Sequence, residues 1–265
     1  MRSPLPITGL PREEAAGVRF VLFDIDDTIT EGGLLPEASY SALWSLRRAG
    51  LAALPVTGRP AGWCDLIARQ WPVAGVVGEN GAFAFYMKGG HLERLFHPSA
   101  PTPESSGERL GRLGAEAMRR VPGLRLAKDQ AYRLFDIALD FAEEPPILSL
   151  EDALRVKVIC EAGGAHAKVS SIHVNAWFGD YDKLSMSELF LSSILGWDPI
   201  LSPRAAIFVG DSPNDEPMFR RFELSFGVAN VRRFESMMEY PPAYVTEKAY
   251  GEGFAEVCDY ILRCR

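Results

Sequence analysis

The chain has 265 residues, of which 47% are hydrophobic and 24% charged, so it can bury a substantial core and is not an intrinsically disordered protein. Its formal net charge of −7 and its lack of Lys and Arg clusters argue against a nucleic-acid backbone or an anionic membrane surface as the main partner.

The cysteines are widely scattered along the chain, with no short spacing typical of a zinc knuckle or a redox motif. They predict reduced, structural thiols. The N-terminal segment contains prolines and a Glu pair where a secretory signal needs a continuous apolar run, and no stretch of eighteen apolar residues occurs anywhere. We therefore expect a cytoplasmic protein whose residues 1–16 form a disordered leader.

The first elements alternate between strand and helix. "VRFVLFD" predicts a buried strand, because it is short and rich in β-branched and aromatic residues, and "PEASYSALWSLRRAG" predicts a helix opened by Pro and closed by Gly. Next come the strand "LAALPVTG", the helix "RPAGWCDLIARQW", the strand "VAGVVG" and a hairpin in "AFAFYMKGGHLERLFH" with its turn at "KGG". This order predicts an α/β fold with a doubly wound parallel sheet.

The pattern changes after the linker-like "HPSAPTPESSG". A helix at "ERLGRLGAEAMRRV", a strand at "RLFDIALDFA", a helix at "SLEDALRVKVICEAGG" and two strands in "AHAKVSSIHVNAWF" follow. Ser149 and Asp152 have the spacing of a capping box. We expect an inserted α+β cap domain at residues 97–178, with an antiparallel sheet and helices on one face, between core segments 1–96 and 179–265.

The alternation of the first segment then returns. A helix around "KLSMSELFLSSILG" precedes the strand "AAIFVGD", a helix after "SPNDEPMF", the strand "LSFGVAN" and a last helix "GFAEVCDYILRC". The two core segments are therefore expected to complete one sheet.

Polar side chains follow three of the predicted strands. Asp24 and Asp26 follow the first, Thr57 follows the second, and Asp211 follows the strand "AAIFVGD". In open α/β sheets the ligand site lies at the carboxyl ends of the strands. Because crowded carboxylates raise each other's pKa unless a cation lies among them, we expect a hard divalent ion, Mg²⁺.

Four motifs occur in a fixed order: "DIDDT" at Asp24–Thr28, "TGR" at Thr57–Arg59, Lys183 at a helix start, and "GDSPND" at Gly210–Asp215. Each motif alone is weak, but together they cover both halves of the core. The sequence in this way resembles the haloacid dehalogenase superfamily of phosphohydrolases. The position of the insert and "GENGA" at Gly78–Ala82 resemble the C2 cap subclass.

The resemblance implies that Asp24 is the nucleophile, giving an aspartyl-phosphate, and that Asp26 is the general acid and base. It implies that Thr57 and Lys183 hold the phosphoryl oxygens. The implied Mg²⁺ ligands are Asp24, the backbone carbonyl of Asp26, Asp211, and Asp215, the last directly or through water. Further implied supporting or substrate-binding positions are Thr28, Gly58, Arg59, Asn80 and Asn214.

Simpler interpretations remain for several of these residues. An aspartate at a strand end is often a turn former or a helix N-cap, and Asn214 and Asp215 are also placed to cap a helix. Lys183 taken alone is a surface lysine beside Asp182. Histidines 91, 97, 166 and 173 have no metal-ligand spacing.

The cap strand "SSIHVNAWFG" alternates between two faces. Ile172, Val174 and Ala176 form an apolar face that is expected to pack on the cap helices. The opposite face carries Ser171, His173, Asn175 and Trp177; it either faces the site, where His173 and Asn175 bind the leaving group, or is simply solvated. Arg133 is a further cap candidate.

Three functions fit the sequence. The first is a Mg²⁺-dependent phosphomonoesterase acting on a small phosphorylated metabolite, such as a sugar phosphate or a phosphoglycerate-type compound. The second is a phosphotransferase or mutase, although such mutases usually have a helical cap after the first motif, and residues 30–51 are too few for one. The third is a non-catalytic binding module, which would be expected to have lost one of the four motif residues Asp24, Asp26, Lys183 and Asp211.

Overall fold

The computed structural model describes residues 3–170 and 172–265, so Ser171 of the predicted polar face lies outside the described residues. The strands are β1 (Leu5–Pro6), β2 (Phe20–Phe23), β3 (Ala52–Pro55), β4 (Val76–Gly78), β5 (Phe83–Lys88), β6 (His91–Phe96), β7 (Arg125–Leu126), β8 (Asp136–Asp140), β9 (His166–Val169), β10 (His173–Trp177), β11 (Ala206–Gly210), β12 (Ser225–Gly227) and β13 (Tyr244–Val245). The α-helices are α1 (Arg12–Ala16), α2 (Glu37–Arg48), α3 (Ala61–Gln70), α4 (Pro103–Arg120), α5 (Leu150–Ala162), α6 (Lys183–Ser193), α7 (Glu216–Arg221) and α8 (Tyr250–Cys264).

The main sheet has the order β1-β13-β12-β11-β2-β3, and each neighbouring pair is parallel. Successive residues of β2 point to opposite faces. Phe20 and Leu22 pack with α6 and α7, whereas Val21 and Phe23 pack with α2, α3 and α8. The sheet is therefore covered by helices on both faces, which confirms the predicted doubly wound α/β fold.

Strand β4 departs from the main sheet. It is joined to the end of β3 by a parallel bridge between Val56 and Val77, and it continues as an antiparallel sheet with β5 and β6. The β5–β6 hairpin turns at Gly89 and Gly90, both with positive φ, as the "KGG" motif predicts.

The inserted segment forms its own sheet in the order β7-β8-β10-β9, with antiparallel neighbours. Val174 and Ala176 share an apolar cluster with residues of α4 and α5 on one face of this sheet, as predicted. Helix α5 begins with the expected capping box between Ser149 and Asp152. All of these elements lie within residues 97–178.

The prediction of a disordered leader is wrong for residues 5–16. Strand β1 pairs with β13 at the edge of the main sheet, and Ile7, Leu10 and Ala15 are buried in the core. Tyr260 of α8 donates a hydrogen bond from its hydroxyl to the Leu10 carbonyl at 2.6 Å. The prolines and polar residues of this segment give no local sign of structure, because its folding depends on partners at the far end of the chain.

The cysteines are free thiols, and Cys64, Cys160 and Cys258 are buried. Burial raises the pKa of the Cys160 thiol to about 11, so it stays protonated. Among the described residues, no helix combines the length and the apolar character needed to cross a bilayer.

Candidate active site

The site lies where three adjacent strands of the main sheet end. Asp24 follows β2, Thr57 lies just beyond β3, and Asp211 follows β11. These strands are neighbours in the order β11-β2-β3, so their carboxyl ends bring the three side chains to one edge. Each of the three residues is buried.

An acidic cluster forms at this edge. Asp24, Asp211 and Asp215 each offer a carboxylate oxygen, and these oxygens lie within 4.8 Å of one another. Lys183, the first residue of α6, places its Nζ 2.8 Å from Asp24 Oδ1 and 3.7 Å from Asp215 Oδ1. The first, third and fourth motifs therefore meet at one centre, although Lys183 is far from Asp24 in sequence.

The start of α6 is fixed against the loop that follows β4. Asp182 caps the helix by accepting a hydrogen bond from the Ser185 amide at 2.7 Å. Gly81, with a φ of 107°, lies directly against this cap, and a Cβ there would come within 2.0 Å of the Asp182 carbonyl oxygen. Only glycine allows this approach, which positions Lys183 over Asp24.

Hydrogen bonds from neighbouring side chains and amides fix two carboxylates of the cluster. Asp211 accepts hydrogen bonds from the Thr28 hydroxyl at 3.2 Å and from Asn230 Nδ2 at 3.3 Å. Asp215 Oδ2 accepts from the amides of Asp211 and Ser212. These contacts fix the Asp211 carboxylate through both of its oxygens and the Asp215 carboxylate through Oδ2.

Asp215 Oδ1 is buried and has no hydrogen-bond partner among the described residues. A buried carboxylate oxygen without a partner is costly. The cluster offers only oxygen donors from buried carboxylates, which is the donor set that Mg²⁺ prefers. The residues present thus fit a hard divalent cation.

The pKa values of the cluster also reflect the burial of several like charges at one place. Burial raises the pKa of Asp24 to about 7, although the Lys183 ammonium opposes the shift. Burial and the charges of Asp215 and Asp24 raise the pKa of Asp211 to about 9. Burial alone lowers the pKa of Lys183, but the carboxylates of Asp24 and Asp215 reverse this and raise it above its ordinary value. Without a cation, this centre favours partial protonation.

Asp26 is bound to Arg59 rather than to the cluster. Arg59 Nη2 lies 2.6 Å from Asp26 Oδ1, and Arg59 Nε is 3.1 Å from both carboxylate oxygens. The guanidinium also lies 4.4 Å from the centre of the Trp63 ring. Arg59 thus orients Asp26, a contact that the sequence analysis did not foresee.

Thr57 and Gly58 are linked to their surroundings through backbone atoms. The Thr57 hydroxyl accepts a hydrogen bond from the Arg59 amide at 3.1 Å, which leaves its proton available for an acceptor in the site. The Gly58 carbonyl accepts from Arg133 Nη1 of the cap at 3.0 Å. The "TGR" motif therefore contacts both the site and the cap.

The "GENGA" loop connects the core to the cap. Glu79 is fully buried and accepts hydrogen bonds from the amides of Leu134, Phe135 and Asp136 at the start of β8. Asn80 Nδ2 donates to Asp136 Oδ2 at 3.3 Å, so the Asn80 side chain contacts the cap. Both Glu79 and Asn80 have positive φ, which turns their side chains towards β8.

The polar face of β10 is buried, so a simply solvated face is ruled out. Asn175 Nδ2 donates to Asp136 Oδ2 at 3.0 Å, and His173 Nε2 lies 2.8 Å from Glu143 Oε2. Asn214 Nδ2 of the fourth motif donates to the carbonyl of Val169 at 3.4 Å, which joins the core site to strand β9. The side chains of Asn175 and His173 are thus already paired within the cap.

Two site residues were missed. Asn230, after β12, contacts Asp211 and the Asp27 carbonyl; the rule about strand ends applied to "LSFGVAN" points to it. Lys168 of β9 has Lys183, Asp182, Asp215 and Asp24 as its charged neighbours. Its position opposite Asn175 follows from the pairing of β9 with β10, which the sequence does not specify.

Neither the family models nor the curated proteins include a match to this chain. Solved structures do match. A Thermoplasma acidophilum protein aligns with a TM-score of 0.70 and 19% identity over 92% of this chain and 98% of its own. A HAD/COF-like hydrolase from Plasmodium vivax aligns with a TM-score of 0.69 and 16% identity, over 96% of this chain and 100% of its own.

A haloacid dehalogenase-like hydrolase from Bacteroides thetaiotaomicron gives a TM-score of 0.66 with 13% identity, over 92% of this chain and 99% of that one. These likenesses extend over nearly the whole of each chain, so they include the inserted segment as well as the core. This chain therefore has the fold of the haloacid dehalogenase-like hydrolases, as its four motifs predict.

Proposed function

We propose that this protein is a Mg²⁺-dependent phosphomonoester hydrolase that acts on a small phosphorylated metabolite through an aspartyl-phosphate on Asp24. The observation that carries the proposal is the contact of Lys183 Nζ with Asp24 Oδ1 at 2.8 Å, inside a buried cluster with Asp211 and Asp215. A structural ion pair needs no further carboxylates around it, whereas phosphoryl transfer needs a nucleophile, a cation and metal ligands together.

In the proposed reaction the carboxylate of Asp24 attacks phosphorus and the ester oxygen leaves. Asp26 protonates that oxygen, and Arg59 holds the Asp26 carboxylate in one orientation. Asp26 then takes a proton from the water that attacks the aspartyl-phosphate, and inorganic phosphate is released with Asp24 restored. One difficult hydrolysis is thus divided into two displacements.

The remaining groups handle charge. The Thr57 hydroxyl and the Lys183 ammonium bind the phosphoryl oxygens and stabilise the negative charge that spreads over them in the transition state. Mg²⁺, held by the carboxylates of Asp24, Asp211 and Asp215 and by the Asp26 backbone carbonyl, would neutralise charge on the phosphoryl group. Thr28 acts as a positioning residue through its hydrogen bond to Asp211.

We assign supporting roles to the remaining predicted residues. Gly58, Asn80 and Asn214 connect the site to the cap. The antiparallel sheet and two helices of the insert favour the C2 subclass of cap. Free cysteines favour a reducing, cytoplasmic location.

A phosphotransferase or mutase would use the same phosphoenzyme. Between Thr30 and Leu51 the chain forms a short turn and α2, which packs on the core, so no helical cap follows the first motif. This arrangement favours hydrolysis over a mutase reaction. A non-catalytic binding module is disfavoured because all four motifs are intact and lie at one edge of the sheet.

The test is a phosphate-release screen over phosphorylated metabolites, with sugar phosphates and phosphoglycerates included, in the presence of Mg²⁺. The wild-type protein is compared with Asp24→Asn. We expect release by the wild type and a loss of at least about 10⁴-fold in the variant, because the nucleophile is removed. Equal activity of the two proteins would refute the proposal.

A further inference from the structure

Lys168 lies on the face of the cap sheet that looks towards the core. Its neighbours along β9, Ala167 and Val169, pack into the apolar cluster of the cap. Because successive residues of a strand point to opposite faces, Lys168 points away from that cluster. In the sheet it lies beside Asn175 of β10.

The surroundings of Lys168 include the proposed catalytic centre. Its charged neighbours are Lys183, Asp182, Asp215 and Asp24. Burial, together with the charge of Lys183, lowers the pKa of its ammonium. The Lys168 ammonium nevertheless forms no hydrogen bond or ion pair within residues 3–170 and 172–265. A half-buried ammonium without a partner beside a reaction centre is available for an anionic ligand.

The geometry of phosphoryl transfer indicates which part of the substrate meets this ammonium. The attacking and leaving oxygens lie roughly in line through phosphorus. Asp24 attacks from the edge of the core sheet, so the leaving group extends away from the core and towards the polar face of the cap. Lys168 and Asn175 lie on that face.

We propose that Lys168 forms an anion-binding position for the leaving group, so that the substrate is a phosphate monoester whose leaving group itself carries a negative charge. This assignment rests on the proposed function and specifies its substrate class. The anion is a carboxylate or a second phosphate, since both offer charged oxygens to an ammonium.

Other roles for Lys168 fit less well. The phosphoryl oxygens already have Thr57, Lys183 and the proposed metal as partners. Arg59, a second cation near the site, is occupied by Asp26. His173 and Asn175 are only 7% and 8% exposed and already have partners within the cap. Lys168 is thus available for the charged end of the leaving group.

The experiment compares four phosphate esters whose leaving groups have a two-carbon skeleton and differ in charge. 2-Phosphoglycolate carries a carboxylate, ethanediol bisphosphate a second phosphate, ethyl phosphate no charge beyond the ester, and phosphoethanolamine an ammonium. The wild type should prefer the two anionic compounds in kcat/KM, and the better of the two identifies the anion. Lys168→Met should lose about 10- to 100-fold with the anionic compounds and clearly less with ethyl phosphate, as expected for one charge-assisted hydrogen bond.

The matched control is Lys128→Met, also on the cap, whose ammonium pairs with Glu144 and whose side chain is 78% exposed. It should retain the wild-type ranking. Lys168→Arg keeps the charge and should retain the preference for anions, which separates loss of charge from loss of folding. Calorimetric binding of phosphoglycolate and ethyl phosphate to Asp24→Asn, with and without Lys168→Met, repeats the comparison without turnover.

Equal losses across the four compounds in Lys168→Met would overturn the assignment while leaving the hydrolase proposal intact. A wild-type preference for phosphoethanolamine would do the same. Absence of phosphate release from all four compounds and from an aryl phosphate would instead refute the proposed function, and the assignment with it.

Discussion

The edge of the core sheet and the polar face of the cap are both buried and polar, but their side chains are satisfied differently. On the cap, Asn175 pairs with Asp136 and His173 pairs with Glu143, whereas the Lys168 ammonium has no partner among the described residues. At the core edge, three carboxylates crowd together and Asp215 Oδ1 has no hydrogen-bond partner among the described residues. Groups that satisfy one another stabilise a contact, whereas unmet charge, in the acidic cluster or on Lys168, requires a ligand.

The largest effect is expected from metal removal, which should act on the core edge and not on the cap. Because the carboxylates of the core edge need a cation, EDTA should abolish phosphate release and Mg²⁺ should restore it. Asp211→Ala should greatly raise the Mg²⁺ concentration needed for this rescue, measured as activity against free Mg²⁺.

The control is Asp65→Asn, a surface carboxylate paired with Arg69. It should leave the Mg²⁺ requirement unchanged. Full activity in chelator would show that the acidic cluster is not a catalytic metal site. The unmet charge of the core edge would then not indicate a bound metal ion.

The second prediction concerns Asp26. Asp26→Asn removes the proposed acid and base but keeps the nucleophile. An alkyl phosphate, whose alkoxide is strongly basic, should lose about 10²- to 10⁴-fold. p-Nitrophenyl phosphate should give a burst of phenol followed by a stall, and intact-mass measurement after an acid quench should show one added phosphoryl group.

Asp24→Asn serves as the comparison, since it should give neither burst nor adduct. If Asp26→Asn lowers the rate equally for the alkyl and the aryl phosphate, and no phosphoryl adduct is trapped, Asp26 does not act as the acid and base. The ion pair with Arg59 would then be its main role.

The third prediction is a dependence of stability on pH. Burial raises the folded-state pKa of Asp24 to about 7 and of Asp211 to about 9, above their usual value of 3.8. The folded, metal-free protein thus binds these protons more tightly than the unfolded chain, so it should lose stability as pH rises from about 4 through these values. Thermal unfolding in EDTA should show a lower Tm at pH 9 than at pH 6.

Mg²⁺ competes with these protons, so it should raise Tm more at pH 9 than at pH 6. Saturation at a hundred times Kd corresponds to about 2.7 kcal/mol of stabilisation. In Asp211→Asn, both the pH dependence and the Mg²⁺ effect should shrink. A metal-free protein that gains stability between pH 6 and 9 would contradict the assignment.

The smallest effect is expected at His173 of the cap face. His173→Ala should change the ranking among natural substrates while the turnover of an aryl phosphate stays within about tenfold, because the phosphoryl-binding groups lie in the core. Parallel kinetics with both substrate types measure this. Equal losses would place His173 in cap folding through its contact with Glu143.

The sequence by itself determined the parts of the site that depend on local pattern. A short apolar run followed by a polar group marks the end of a buried strand, and this was enough to place Asp24, Thr57 and Asp211 at one edge of a parallel sheet. The order of the motifs added Lys183. Helix signals such as the capping box at Ser149 were equally local.

Only the tertiary structure decided how the core meets the cap. The contacts of Glu79 with β8, of Arg133 with Gly58 and of Asn214 with Val169 join residues far apart in sequence. The folding of residues 5–16 depends in the same way on β13 and α8. Hydrogen bonds and charges act over a few ångströms in space, and their partners are set by packing rather than by periodicity. Lys168 is an example: nothing in the sequence singles it out, and its place near the acidic cluster depends on the pairing of β9 with β10.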